Sequence, residues 1–249
     1  MSEPVIVTAA KRPDVWARAE DLDSEVWPEY NRHGDVLNEY WGRLDEDFAE
    51  FQFVLYDEQA DELLAQGHTI PFVWDRTARG LPVGIDGVVA DAFRDRAEGR
   101  NVNALSALAI EIPPAHQRGG LSALMLAGMR DLAAAHHLED LVAPLRPTWK
   151  ERYPLVGIER YARWTREDGL PFDPWLRLHV RLGGEILGVE PRSLLITGTV
   201  AEWERWTGMG FPESGSYVFP HGLALLEVDR EADLGSYWEP NVWVRHPVA

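Results

Sequence analysis

The sequence predicts a mixed α/β (α+β) fold, one domain spanning residues 1–249, built on a partly antiparallel sheet. Three observations carry that prediction. Strand and helix patterns alternate through the middle of the chain, and the tail from about residue 193 reads as β. Between them, residues 104–112 form an apolar strand that runs through Pro113-Pro114 into a glycine turn and an amphipathic helix. Alternation followed by a β tail is the pattern of one sheet with mixed strand directions. The length is enough to bury a large core, and no repeat, linker or low-complexity tract divides it.

Taken in order, Val5-Ile6-Val7-Thr8 is a short β-branched strand. Residues 13–50 show helical spacing through Val15, Trp16, Leu22, Val26 and Trp27, then Val36, Leu37, Tyr40, Trp41, Leu44 and Phe48. A strand at 51–56 turns at 57–61 into a hairpin partner at 62–74, and 85–99 is helical with Val88, Val89, Ala92 and Phe93 on one face. The helix after the glycine turn carries Leu121, Leu124, Met125, Gly128 and Leu132 as its core-facing stripe, and 141–145 is a buried strand. Residues 146–173 are rich in aromatics, arginine and proline, with a short helix near 158–164. A helix at 175–182 ends at Gly183-Gly184, a C-cap signal. Segments 193–206, 217–228 and 237–244 read as strands, with Trp203 and Trp206 as strand packing.

Composition excludes several function classes. Lys and Arg number 24 against 41 Asp and Glu, a net charge of −17. That field repels nucleic-acid phosphates and anionic lipid, so neither nucleic acid nor membrane is an expected partner. It suits a solvated, soluble surface; the alternative reading is steering of a cationic substrate such as an amine. The absence of cysteine removes disulfides, thiolate nucleophiles and cysteine metal sites. No metal site is expected: His136-His137 does not form the His-Glu-x-x-His zinc helix. The N-terminus lacks a signal-peptide pattern and no apolar run reaches the ~18 residues of a membrane span, so the expected location is the cytoplasm. Lysine occurs only at positions 11 and 150, which suggests a bacterial, high-GC coding bias.

The glycine turn is the most informative segment. A helix start presents unpaired N–H groups and a partial positive charge, a cradle for pyrophosphate. No Walker lysine follows these glycines, and no Gly-x-Ser-x-Gly elbow supplies a hydrolase nucleophile. Residues Pro114-Ala115-His116-Gln117-Arg118-Gly119-Gly120-Leu121-Ser122 resemble the acyl-CoA motif of the GNAT superfamily of N-acyltransferases: Gln or Arg, two residues, Gly, one residue, then Gly or Ala. Ser122 departs from the last position by a hydroxyl. The resemblance implies a central mixed, mostly antiparallel twisted sheet flanked by helices. It implies acetyl-CoA or another acyl-CoA as cosubstrate, held by the amides of Gln117, Arg118, Gly119, Gly120, Leu121 and Ser122, with pantetheine pairing along the strand at Ile110 and Ile112.

A second mark of this family is Tyr-x-x-x-Gly-Phe, whose tyrosine protonates the departing thiolate. His179 stands at the matching position here, before Gly183-Gly184. An unperturbed histidine titrates near neutrality, so His179 is a candidate proton donor or base, or a hydrogen-bonded structural residue. Glu111, on the cradle strand, is a candidate general base or an edge carboxylate, depending on strand parity and on any bulge. Tyr153 and Tyr161 are further candidates for proton donation or pocket shaping. Arg146, Lys150 and Arg152 either bind an acceptor carboxylate or adenosine phosphate, or anchor a long loop; Glu239 is a candidate for binding an amine.

These readings converge on a cytoplasmic acyl-CoA-dependent N-acyltransferase in which a small-molecule amine attacks the thioester directly. The acceptor walls are expected from residues 146–174 and the N-terminal helical region, and a homodimer is one assembly open to it. The rival readings are a non-catalytic acyl-CoA-binding domain on the same fold and an interaction protein with a tryptophan surface.

Overall fold

Nine strands share one sheet in the computed structural model, which describes residues 4–19, 26–117 and 119–248. They are β1 (Val5–Thr8), β2 (Gln52–Asp57), β3 (Glu62–Phe72), β4 (Ala104–Glu111), β5 (Asp140–Leu145), β6 (Glu185–Gly198), β7 (Gly215–Tyr217), β8 (Leu226–Asp229) and β9 (Leu234–Pro247). The order is β1-β2-β3-β4-β5-β9-β8-β7, with β6 on β9. Every pairing is antiparallel except β4 with β5. The expected mixed, mostly antiparallel sheet flanked by helices is therefore what forms.

Helix α1 (Gly84–Ala97) buries Val88, Val89, Ala92 and Phe93 against β3 and β6, as its spacing predicts. Helix α2 (Leu121–Ala135) packs under β3, β4 and β5 through Met125, Leu126, Met129 and Leu132. The sequence stripe needs one correction here: Leu124 lies on the exposed side of α2. The buried face is centred on Met125 and Met129, about one residue or 100° further round the helix. Gly128 lies on that face, and a Cβ there would come within 2.8 Å of Ile6 in β1.

Two other expectations change. The described residues between 13 and 50 form single turns, among them Pro13–Trp16, Glu29–Arg32, Leu37–Trp41 and Leu44–Asp47, where the spacing predicts longer helix. Pro28 breaks the register by lacking an amide proton, and Gly34 lets the chain press onto Leu194, only 2.7 Å from where a Cβ would stand. Of the expected helical positions there, Leu22 lies outside the described residues. The expected strand at 193–206 is the end of β6 followed by helix α4 (Val200–Thr207). Thr199 and Glu202 form a reciprocal capping box that starts α4, and Gly208 in the left-handed region ends it. Trp203 thus packs from a helix, buried beside Tyr30, Phe219 and Tyr237.

Candidate active site

The site begins where β4 and β5 part. They pair in parallel only at Ala104–Asp140, Leu105–Leu141 and Ser106–Val142. Beyond that point residues 107–111 of β4 pair with β3 alone, and residues 143–145 of β5 pair with β9 alone. Each strand therefore turns an unpaired row of amides and carbonyls toward the other, an edge that an extended ligand can join. Between His68 and Thr69 of β3 the register skips Leu108, a β-bulge on β4. The bulge resets strand parity just before Glu111.

At the open end of β4 the chain makes the glycine turn. Gly120 adopts φ +79° as the N-cap of α2, and no side chain caps the helix. In the first turn of this 15-residue helix the Ala123 amide donates to the Gly120 carbonyl at 3.1 Å, while the amides of Leu121 and Ser122 have no side-chain cap, in the polarity that favours an anion. Gln117 braces the turn by donating its amide to the Ile112 carbonyl at 3.1 Å. Gly119 is exposed; Arg118 lies outside the described residues.

A cavity of about 690 Å³ opens from this gap. Ile110, Glu111, Ile112, Gln117, Gly120, Leu121 and Ser122 all line it, so most of the residues singled out in the sequence share one space. Glu111 is fully buried in its wall; Oε1 accepts a hydrogen bond from Trp27 Nε1 at 2.7 Å, and His68 Nε2 stands 3.7 Å from Oε2. The alternative of an exposed edge carboxylate is thereby removed.

Opposite, residues 237–241 of β9 bridge an interval between β8 and β5, which pair with the same edge of β9 at 234–236 and 242–247. Glu239 and Asn241 from this interval line the cavity. Glu239 is buried, and its Oε2 accepts from Arg146 Nε (3.1 Å), Asn31 Nδ2 (3.2 Å) and the Tyr237 hydroxyl (3.3 Å), while Oε1 takes none of these. Arg146 also donates to the Tyr30 hydroxyl at 3.0 Å and the His221 carbonyl at 2.7 Å. The arginine is a structural partner of Glu239 as well as a wall residue.

His179 reaches the cavity from α3 (Pro174–Arg181). Asp173 aims that helix: its Oδ1 caps the Trp175 and Leu176 amides, and its Oδ2 accepts from the Trp149 amide and the Tyr161 hydroxyl, both at 2.8 Å. His179 is buried, with Nδ1 2.9 Å from His246 Nε2 and its ring edge-to-face with Trp175. Burial lowers its pKa to about 3, with a smaller push from His246, so the expectation of titration near neutrality is overturned.

Three other candidates lie elsewhere. Tyr153 is not in the cavity wall; it packs in an aromatic cluster with Tyr161, Trp164 and Phe172. Tyr161 is committed to Asp173, and burial raises its pKa well above the usual range. Lys150 is buried away from the cavity, donating to the Tyr153 carbonyl at 2.9 Å and to that of Leu223, with its pKa lowered to about 8 by burial. Arg152 stacks on Trp149. These two cations anchor the loop. Sequence reasoning missed Trp27, Asn31 and His246; each reaches the site from far along the chain, and no local pattern marks it.

No family model matches the chain. The chain is, however, 31% identical over 271 aligned positions to the arginine N-acetyltransferase avaD of Aspergillus versicolor, covering 97% of this chain and 93% of that protein. It belongs to the GNAT superfamily. Two solved structures share the fold at low identity. The loading GNATL domain of CurA from Lyngbya majuscula superposes with a TM-score of 0.62 at 18% identity, over 99% of this chain and 98% of that one. The GphF GNAT-like decarboxylase in complex with isobutyryl-CoA gives 0.58 at 17%, over 98% and 100%. This GNAT protein is an acyl-CoA-dependent N-acyltransferase. No helix among the described residues is long and apolar enough to cross a membrane.

Proposed function

We propose that this enzyme transfers an acetyl group from acetyl-CoA to the amine of a small cationic acceptor of the arginine class, by direct attack on the thioester. The observation that carries this reading is the continuity of the β4–β5 gap with a cavity holding two buried carboxylates, Glu111 and Glu239. On this reading the pyrophosphate rests on the amides around Gln117, Gly119, Gly120, Leu121 and Ser122, and pantetheine lies along Ile110 and Ile112. The uncapped start of α2 supports that placement. Main-chain amides of β4 polarise the thioester carbonyl.

Glu111 takes the proton from the acceptor ammonium before attack, directly or through water. Trp27 holds Oε1, while Oε2 meets the Gln66 side-chain amide at 3.2 Å and stands 3.7 Å from His68 Nε2, so the carboxylate is fixed in the cavity wall where the amine arrives. Glu239, whose Oε1 takes no bond from Arg146, Asn31 or Tyr237, receives the cationic group of the acceptor. The acidic net charge of −17 adds long-range steering toward a cation, and the arginine N-acetyltransferase relative supports the same class. The sequence holds no cysteine, which agrees with transfer without a thioester intermediate on the protein.

The test is release of free thiol from acetyl-CoA with arginine, its uncharged isostere citrulline, and agmatine, which lacks the carboxylate. Arginine and agmatine are expected to exceed citrulline. Equal rates for arginine and citrulline would remove the cationic-acceptor reading, and no release with any amine would remove the acetyl-transfer reading.

A further inference from the structure

His179 and His246 share a single hydrogen bond and leave one nitrogen at each end without a partner. Nδ1 of His179 meets Nε2 of His246 at 2.9 Å, while His179 Nε2 and His246 Nδ1 are buried and unpartnered. The two rings come from α3 and β9, and both side chains are fully enclosed. Both are neutral at physiological pH, because burial lowers His179 to about 3 and His246 to about 4, the latter helped by the charge of Arg130. Two neutral imidazoles joined this way have two tautomeric arrangements. In one, His179 donates to His246 and leaves a proton on His246 Nδ1. In the other, His246 donates to His179, leaves a bare lone pair on His246 Nδ1, and puts a proton on His179 Nε2.

The surroundings separate the two. Arg130 on α2 donates through Nη2 to the carbonyl of Pro247, next in the chain to His246, and its own Nε–H is buried without an acceptor. The positive charge of Arg130 acts on His246, so it favours a lone pair on His246 Nδ1 and disfavours a second N–H there. At the other end, Nδ1 of His179 is taken, so Nε2 is the one ring nitrogen left to meet a ligand in the cavity that His179 lines.

We propose that His246 is a positioning residue that fixes His179 with its Nε2–H toward the cavity, where it serves as a neutral hydrogen-bond donor to the sulfur of coenzyme A. The hydrogen bond made by one ring nitrogen sets the state of the other, and a neutral imidazole can stabilise developing negative charge without giving up its proton. During transfer the acceptor nitrogen bonds to the acyl carbon, the C–S bond breaks, and the electron pair settles on sulfur against Nε2–H. Glu111 passes the ammonium proton to solvent and then takes the second N–H proton as the amide forms, and the thiolate takes a proton from solvent after release, so that one proton is set free overall. His179 therefore keeps its proton throughout. The placement of sulfur beside His179 rests on the acyl-CoA reading given above.

Long-range ¹⁵N–¹H spectra of the protein test the arrangement without any acceptor. A pyrrole-type signal is expected for His179 Nε2 and His246 Nε2, and a pyridine-type signal for the two Nδ1 atoms. Adding coenzyme A should shift the His179 Nε2–H resonance. The reversed tautomers, or no shift on saturation with coenzyme A, would overturn the proposal. In turnover, His246→Leu should lower kcat roughly 10-fold while coenzyme A affinity holds; His246→Gln, whose amide can still donate to Nδ1, should recover most of the rate. Wild-type kcat in His246→Leu would also overturn it. Failure of arginine as acceptor would leave the spectra unchanged, so it would count against the acceptor class alone.

Discussion

Acid should destabilise this protein through the buried histidine pair, by an amount that follows from its burial. In the unfolded chain each imidazole takes up a proton as pH falls through about 6.5, whereas in the fold His179 and His246 stay neutral until about 3 and about 4. Between those values the unfolded state holds more protons, so unfolding is favoured as pH falls; above 6.5 both states are neutral and nothing is lost. Each group contributes about 1.4 kcal/mol per pH unit in that window. Two fully enclosed groups acting from pH 6.5 to pH 5 remove about 4 kcal/mol, a large share of the roughly 5–15 kcal/mol that holds a domain folded. Urea unfolding of wild type and of a His179→Phe/His246→Leu double variant at pH 7 and pH 5 measures it. Each protein is compared with itself, so the carboxylates common to both cancel. Wild type should lose about 4 kcal/mol more than the double variant across that interval. Equal losses would refute the claim that these rings are buried neutral.

Four further perturbations follow from the geometry. Gly120→Ala meets no atom within 4 Å but must hold φ +79°, so it should cost about 1 kcal/mol in urea unfolding and weaken coenzyme A binding by calorimetry. Glu111→Gln should reduce kcat by about 10²–10⁴-fold with acetyl-CoA binding unchanged. Glu239→Met strands the buried Arg146 and should cost about 3–5 kcal/mol, much of it recovered in the Glu239→Met/Arg146→Met pair, as read from denaturation midpoints. Gly235→Ala would set a Cβ 2.1 Å from the Trp203 ring, so it should destabilise about as much as Trp203→Ala, roughly 3–5 kcal/mol.

Much of the sheet and the donor half of the site was legible because both are written locally. β2, β3, β4 and β5 carry period-two or continuous apolar runs, and the glycine turn announces itself within nine residues. The structure departs from the sequence expectation where one local signal overrules another. Thr199 and Glu202 spell a capping box, but the neighbouring Val200 and Trp203 suggested strand, and the helix won because its N-terminal amides are satisfied by those two side chains. Leu124 was off by one step of helical rotation. The side-chain pairs around the cavity were the least legible. Trp27 and Glu111 are 84 residues apart, Asn31 and Glu239 are 208, and His179 and His246 are 67, so each pair exists only after the sheet has closed. Tyr153, by contrast, was drawn in by its residue type, although its ring is consumed by packing.

The parting of β4 and β5 has a mechanical consequence. The half-sheets β1–β4 and β5–β9 pair strand to strand at only three residue pairs at one end, and α1 and α2 pack across both halves. A pantetheine arm lying in the gap would lace the free rows together like a missing strand. Amide hydrogens of residues 107–111 and 143–145 should then exchange with solvent far more slowly once coenzyme A is bound, and saturation at 100 times Kd should raise global stability by about 2.7 kcal/mol. The donor would thus brace the scaffold that the acceptor must enter, coupling the order of substrate binding to the stiffness of the sheet.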